Sequence, residues 1–138
     1  MEHLFIRSKH NPILRPEGSE WWKIYNPGAA LDTDGTVHLF PRVMKQEADW
    51  HSLIAHATLE DGEHFTWDSE PMLVRSGLHE QRGLEDPRVV RIGGEWHMTF
   101  AVYDGKSVQL HSAGRRVGRA VAPARTYGAG FRFFQKRR

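Results

Sequence analysis

Cysteine is absent from the 138 residues, which excludes disulfides and thiolate metal sites. No apolar run approaches the roughly 18 residues of a membrane-spanning helix. The start, Met-Glu-His-Leu-Phe-Ile-Arg, has no apolar segment of the kind a secretion signal needs, so a cytoplasmic protein is the expectation. No stretch from Met1 to Leu110 holds the hydrophobic period of a helix, which argues against a helical core. Acidic residues are missing from the end of the chain. Residues 1–104 carry 10 Lys/Arg against 17 Asp/Glu, a net of −7, whereas residues 105–138 carry 9 Lys/Arg and no acid, a net of +9.

What is present reads almost entirely as β-structure. Gly35-Thr36-Val37-His38-Leu39-Phe40 is a turn followed by alternation, and the apolar stretch Leu53 to Leu59 ends at Asp61-Gly62. Val89-Val90-Arg91-Ile92 leads through Gly93-Gly94 into Glu95-Trp96-His97-Met98-Thr99-Phe100. Short strands joined by Asp-Gly and Gly-Gly turns are hairpin chemistry, and their regular spacing suggests a sandwich, barrel or propeller. A weak internal repeat sharpens this. The segment Pro27 to Phe40 resembles Pro87 to Phe100, with Pro27 matching Pro87 before the Gly turn and His38 matching His97 after it. Each copy runs strand, turn, strand with a central His, then an aromatic, as repeated propeller blades do.

The densest chemistry lies at Gly83-Leu84-Glu85-Asp86-Pro87-Arg88. Two adjacent carboxylates sit on a Pro-stiffened turn at the mouth of a strand, with an arginine within charge range. That suits presentation of an acid to a ligand, although a charged turn capping a strand would look the same. The nine histidines do not suggest a metal site. None forms an HxxxH or HxH pair beside a carboxylate, and His51/His56 is an i, i+5 pair. His38 and His97 occupy equivalent repeat positions and read as structural. Trp21-Trp22 could stack on a sugar ring, but packing under the first hairpin is the stronger reading.

In order and spacing, Asn11-Pro12-Ile13-Leu14, Trp22, Asn26-Pro27-Gly28-Ala29, Asp34-Gly35, Leu39-Phe40, Arg42, Asp61-Gly62-x-x-Phe65, Glu85-Asp86-Pro87-Arg88 and Met98-Thr99-Phe100 resemble glycoside hydrolase family 130. That family comprises β-mannoside phosphorylases and β-1,2-mannosidases. The resemblance covers about residues 10–111 and implies an all-β, five-bladed β-propeller. The spacing of the repeat makes this chain about two blades, an N-terminal fragment expected to be inactive alone. The resemblance implies that Asp86 is the general acid. It would protonate the leaving glycosidic oxygen, in part through a sugar hydroxyl, while inorganic phosphate attacks the opposite face and yields α-mannose 1-phosphate. It also implies that Asn26 and Arg42 hold the sugar in the −1 subsite. Glu85 and Arg88, which flank the acid, complete the candidate substrate-binding set. No cofactor is expected beyond phosphate as co-substrate, and the partner is an oligosaccharide. Pro41 replaces an aromatic that often precedes the family's arginine, and the family's phosphate ligands lie mostly in later blades.

The expected organisation is residues 1–111 as the N-terminal blades and 112–138 as an irregular basic tail. Two readings of the tail stay open, a genuine extension or sequence from a displaced reading frame. Open blade edges make self-association an expectation. Alternative functions are a β-mannosidase, a non-catalytic carbohydrate-binding fragment, and nucleic-acid binding through the tail with Tyr127, Phe131, Phe133 and Phe134 as stacking groups. The last explains the charge split but neither the repeat nor residues 83–88.

Overall fold

The computed structural model describes residues 7–45, 51–61, 63–75 and 80–116. All eight regular elements among them are strands: β1 (Lys23–Leu31), β2 (Val37–Met44), β3 (Leu53–Ile54), β4 (Ala57–Leu59), β5 (Phe65–Trp67), β6 (Gly83–Ile92), β7 (Glu95–Tyr103) and β8 (Val108–Arg116). They form two antiparallel sheets. Sheet 1 has the order β1-β2-β4-β5, with β3 also on β2, and sheet 2 has the order β6-β7-β8. The β6–β7 connection is the Gly93-Gly94 turn, with φ of 58° and 81°. Positive φ at both central residues is the hairpin geometry that matches strand twist, and glycine reaches it without a Cβ penalty. At the β7–β8 turn, Asp104 Oδ1 accepts from the backbone N–H groups of Lys106 and Ser107.

The sheets pack face to face through the main core. Phe40 and Ile54 come from sheet 1, and Leu84, Trp96, Met98, Phe100, Val102 and Ala113 from sheet 2. This follows from period-2 alternation, since β7 buries Trp96, Met98, Phe100 and Val102 in turn. A second cluster, Trp21, Val43 and Ala55, lies on the far side of sheet 1. Trp21 is buried and its ring centroid lies 6.2 Å from that of Trp67. The isolated parallel bridge between Ser52 and Gly83 ties the sheets together where β6 begins.

Strand register makes the two hairpins equivalent and corrects two expectations. His38 pairs with Ala30 and His97 with Val90, so the histidines do occupy matching places. The aromatics do not. Phe40 pairs with Gly28, whereas the residue opposite Arg88 is Thr99. Phe100 therefore stands where sheet 1 has Pro41, one position along. The second correction concerns the tail. Strand β8 continues to Arg116, past the boundary expected at 111, because backbone pairing to Glu95 through Tyr103 does not require hydrophobic alternation. The rest of the expected tail, 117–138, lies outside the described residues.

Between the sheets lies a polar chain, buried at its two histidines, that sequence spacing did not reveal. His38 Nδ1 and His56 Nε2 are 3.1 Å apart, and His56 Nδ1 is 2.8 Å from Asp68 Oδ2. With both rings neutral, His56 donates to Asp68 and accepts from His38. Asp32 Oδ2 lies 3.9 Å from His38 Nε2, and Arg91 reaches Asp32 at 3.3 Å. Burial, then the neighbouring His56, lowers the His38 pKa from its ordinary 6.5, against opposing pulls from Asp32, Asp34 and Asp68. A histidine with a depressed folded pKa binds fewer protons folded than unfolded. Its contribution is complete above the unfolded pKa and is lost as pH falls towards the folded one. Urea-unfolding free energy should therefore drop between about pH 7.5 and pH 5.5, and His38→Gln should flatten the dependence. Because His64, raised by its hydrogen bond to Asp61, contributes with the opposite sign, the difference between wild type and His38→Gln is the readout, and equal pH dependence in the two would contradict the assignment.

Candidate active site

Asn26 and Asp86 are the only non-glycine residues with positive φ among those described, at 48° and 49°. Each precedes a proline, and each lies in a bulge: the register slips between Tyr25 and Gly28 in β1 and between Glu85 and Arg88 in β6. The physical logic is shared. A bulge puts two residues opposite one, and proline, lacking an N–H, sacrifices no ladder bond there. Asparagine and aspartate are the side chains that best tolerate the left-handed region. The two sites are related by the repeat offset, and their side chains meet: Asn26 Nδ2 donates to Asp86 Oδ1 at 2.6 Å. Both residues are exposed.

The other carboxylate of the pair goes elsewhere. Arg42 Nη2 donates to Glu85 Oε1 at 2.7 Å, with both side chains largely covered, at 21% and 24% exposure. Arg42 projects from β2 on the face towards sheet 2, beside its register partner Tyr25. Its guanidinium carbon lies 4.8 Å from the Tyr25 ring centroid. A carboxylate on one side and an aromatic face on the other hold the planar group in one orientation. Arg42 Nε is buried without a hydrogen-bond partner. Arg88 Nη1 donates to the Pro87 carbonyl at 2.9 Å and braces the bulge. Asn26 on β1, Arg42 on β2, and Glu85 and Asp86 on β6 are thus gathered where the two sheets meet, whereas the hydrogen bond of Arg88 is to its own neighbour, Pro87, and its register places it on the outer face of sheet 2. Among the described residues no group of three or more His, Cys, Asp or Glu could hold a metal ion.

Gly28 makes this meeting geometrically possible. A Cβ there would lie 2.7 Å from the Pro87 carbonyl oxygen and 3.2 Å from its carbon. Backbone must pass against backbone for Asn26 to reach Asp86. Gly28→Ala should therefore separate β1 from β6 and lower stability by about 1–3 kcal/mol, the usual cost of overpacking. Urea unfolding of the 138-residue variant measures this, and a loss below about 0.5 kcal/mol would show that the strands can yield freely. Sequence reading missed the roles of Gly28 and Tyr25 and the contact between Asn26 and Asp86. One signal for the contact was available, because both residues precede a proline at matching places in the repeat.

Comparison with known proteins agrees with this architecture. The model of glycoside hydrolase family 130, described as beta-1,4-mannooligosaccharide phosphorylase, matches residues 6–136. A 1,2-beta-oligomannan phosphorylase of Thermoanaerobacter is 29% identical over 102 residues, covering 68% of this chain and 34% of the relative. A beta-1,2-mannobiose phosphorylase of the same strain is 30% identical over 113 residues, covering 72% and 37%. Among solved structures, beta-1,2-mannobiose phosphorylase from Listeria innocua in complex with beta-1,2-mannobiose superposes with a TM-score of 0.63. It is 20% identical, covering 80% of this chain and 47% of that one. The two sheets are propeller-type blades, and the chain spans about a third of the length of the curated relatives it matches.

Proposed function

Because this chain belongs to glycoside hydrolase family 130, we propose that it carries the general acid and part of the sugar subsite of an inverting β-mannoside phosphorylase. The observation that carries the proposal is the division of labour between neighbouring carboxylates. Glu85 is committed to Arg42, whereas Asp86 is exposed, with one oxygen held by Asn26. In the proposed step Asp86 gives its proton to the glycosidic oxygen as the bond from C1 to that oxygen breaks. An oxygen of inorganic phosphate forms the new bond to C1 from the opposite face, giving α-mannose 1-phosphate and a free aglycone. An inverting hydrolase needs a second carboxylate to activate water, but phosphate arrives already anionic. One acid then suffices.

Asn26 spends one amide hydrogen on Asp86 and keeps the other, together with its carbonyl oxygen, for a sugar hydroxyl. Arg42 keeps further N–H donors after its bond to Glu85. Glu85 contributes to binding by orienting Arg42. No organic cofactor or metal enters this scheme. No helix among the described residues is long and apolar enough to cross a membrane, and the proposed setting is the cytoplasm.

The activity belongs to a full-length protein containing these blades, since the chain spans about a third of its relatives. The test incubates that protein with β-mannosyl disaccharides, with and without phosphate. Phosphate-dependent release of mannose 1-phosphate is expected, and none from the 138-residue chain alone. Free mannose released equally without phosphate would move the assignment to the β-mannosidase branch. Binding of nucleic acid that falls steeply with salt, without sugar turnover, would favour the basic tail as the functional element.

A further inference from the structure

We propose that Tyr25 is a positioning residue of the sugar subsite, its ring fixing the plane in which the Arg42 guanidinium meets the sugar. This rests on Arg42 being a sugar ligand, as proposed above, and makes Tyr25 the residue that decides how that ligand is presented. Tyr25 and Glu85 hold the same place in the repeat. Each is the last paired residue before its bulge, one position ahead of the left-handed Asn26 or Asp86. Their partners across the ladder differ: Tyr25 pairs with Arg42, whereas Glu85 pairs with Ala101. Sheet 1 alone therefore supplies a guanidinium at this place. Both pre-bulge residues converge on it, Glu85 with its carboxylate and Tyr25 with its ring.

The two contacts fix different things. Glu85 accepts from one nitrogen, Nη2, at 2.7 Å. One hydrogen bond sets the distance of the group but leaves it free to turn about the line of that bond. Arg42 Nε, which could have supplied a second point, is buried without a hydrogen-bond partner. The plane is then set by the Tyr25 ring, whose centroid lies 4.8 Å from the guanidinium carbon, within the range over which an aromatic face attracts a cation. The ring is itself anchored, since its hydroxyl donates to the sulfur of the buried Met44. Met44 lies two residues beyond Arg42 on β2 and pairs with Lys23 on β1, so ring and guanidinium are tied to the same two strands. The remaining N–H donors of an arginine lie in the plane of its fork, and sugar hydroxyls can meet them together only if that plane is held. Ordering the group before the sugar arrives also removes that cost from binding.

The test compares Tyr25→Leu, which keeps apolar bulk without a ring, with Tyr25→Phe, which keeps the ring without the hydroxyl. NMR of labelled arginine side chains in the 138-residue chain should show separate, slowly exchanging N–H signals for Arg42, identified by their loss in Arg42→Lys. Tyr25→Leu should merge or broaden them, while the Asn26 side-chain amide signals, which report the bond to Asp86, stay in place. Tyr25→Phe should leave the Arg42 signals separate. In a full-length protein with these blades, Tyr25→Leu should raise KM for the β-mannoside about 5–20-fold, the size of a lost cation–π contact. The change in kcat should stay within about threefold and the pH profile should not move, as expected for a contact made equally in ground and transition states. Tyr25→Phe should restore most of the lost affinity. Arg42 signals that stay separate in Tyr25→Leu would overturn the proposal. So would an unchanged KM, or a fall in kcat alone, the pattern of a general disturbance of the bulge. If wild type releases no mannose 1-phosphate while Tyr25→Leu still frees the Arg42 signals, the phosphorylase reading fails and the hold of Tyr25 on Arg42 is confirmed.

Discussion

Replacing Asp86 by asparagine in a full-length protein with these blades is expected to lower turnover by about 10²–10⁴-fold, or roughly 3–5 kcal/mol of barrier. Asparagine is nearly isosteric, tolerates the left-handed φ of 49° found at this position, and keeps an oxygen to accept from Asn26. What it lacks is a proton to give to the leaving oxygen. The loss should therefore fall on kcat, while the affinity for the sugar changes little. Asp86→Ala should do more, because it also strands the Asn26 amide that now donates at 2.6 Å. Mannose 1-phosphate release under saturating phosphate is the measurement. Turnover by Asp86→Asn within a few-fold of wild type would remove Asp86 from the role of acid, whatever the fold.

Gly83→Ala should produce the largest loss of stability of any single-methyl addition considered. Gly83 has φ of 141°, a region closed to side chains. A Cβ there would lie 2.3 Å from Ser52 Oγ, 2.7 Å from Ser52 N and 3.1 Å from Ser52 O. Ser52 is fully buried, and its carbonyl accepts from the Leu84 N–H at 3.0 Å. The hydroxyl could rotate away, but the backbone nitrogen could not move without breaking the bridge between the sheets. Strain and overpacking each cost about 1–3 kcal/mol, so roughly 2–6 kcal/mol is expected in total. That is a large share of the roughly 5–15 kcal/mol typical of a folded domain. Urea denaturation of the 138-residue variant provides the value. Ser52→Ala combined with Gly83→Ala should recover little, since the backbone conflict remains. Full recovery would show that the hydroxyl alone was the obstacle. Residue 83 is two positions before Glu85, so any displacement is also expected to loosen the Arg42 pair.

Much of the architecture was legible in the chain itself. Alternation in Glu95 to Val102, and Gly93-Gly94 between two strands, report local geometry that neighbouring residues impose on one another. The match of Pro27 to Pro87 and of His38 to His97 likewise exposed the repeated hairpin. The charge and proline pattern of residues 83–88 marked the acidic site, but it read as a turn ahead of a strand, whereas these residues are the bulged first half of β6 itself. Pairing across sheets has no such local signature. The prolines after Asn26 and Asp86 mark the two places as equivalent, but that the amide reaches the carboxylate depends on how closely β1 passes β6, and hence on the missing side chain of Gly28. The one-place slip between Phe40 and Phe100 was already in the spacing, since Phe40 follows His38 by two residues and Phe100 follows His97 by three; register adds that Phe100, like Pro41, stands opposite a bulge. The continuation of β8 to Arg116 depends on the free edge that β7 presents. The Asp68–His56–His38 chain assembles from one strand, β2, and two connecting segments, and only their packing makes its histidines neighbours. Local preference, written in the sequence, determined strands, turns and the candidate acid; distances between elements, set by packing, decided which groups that acid and its neighbours hold.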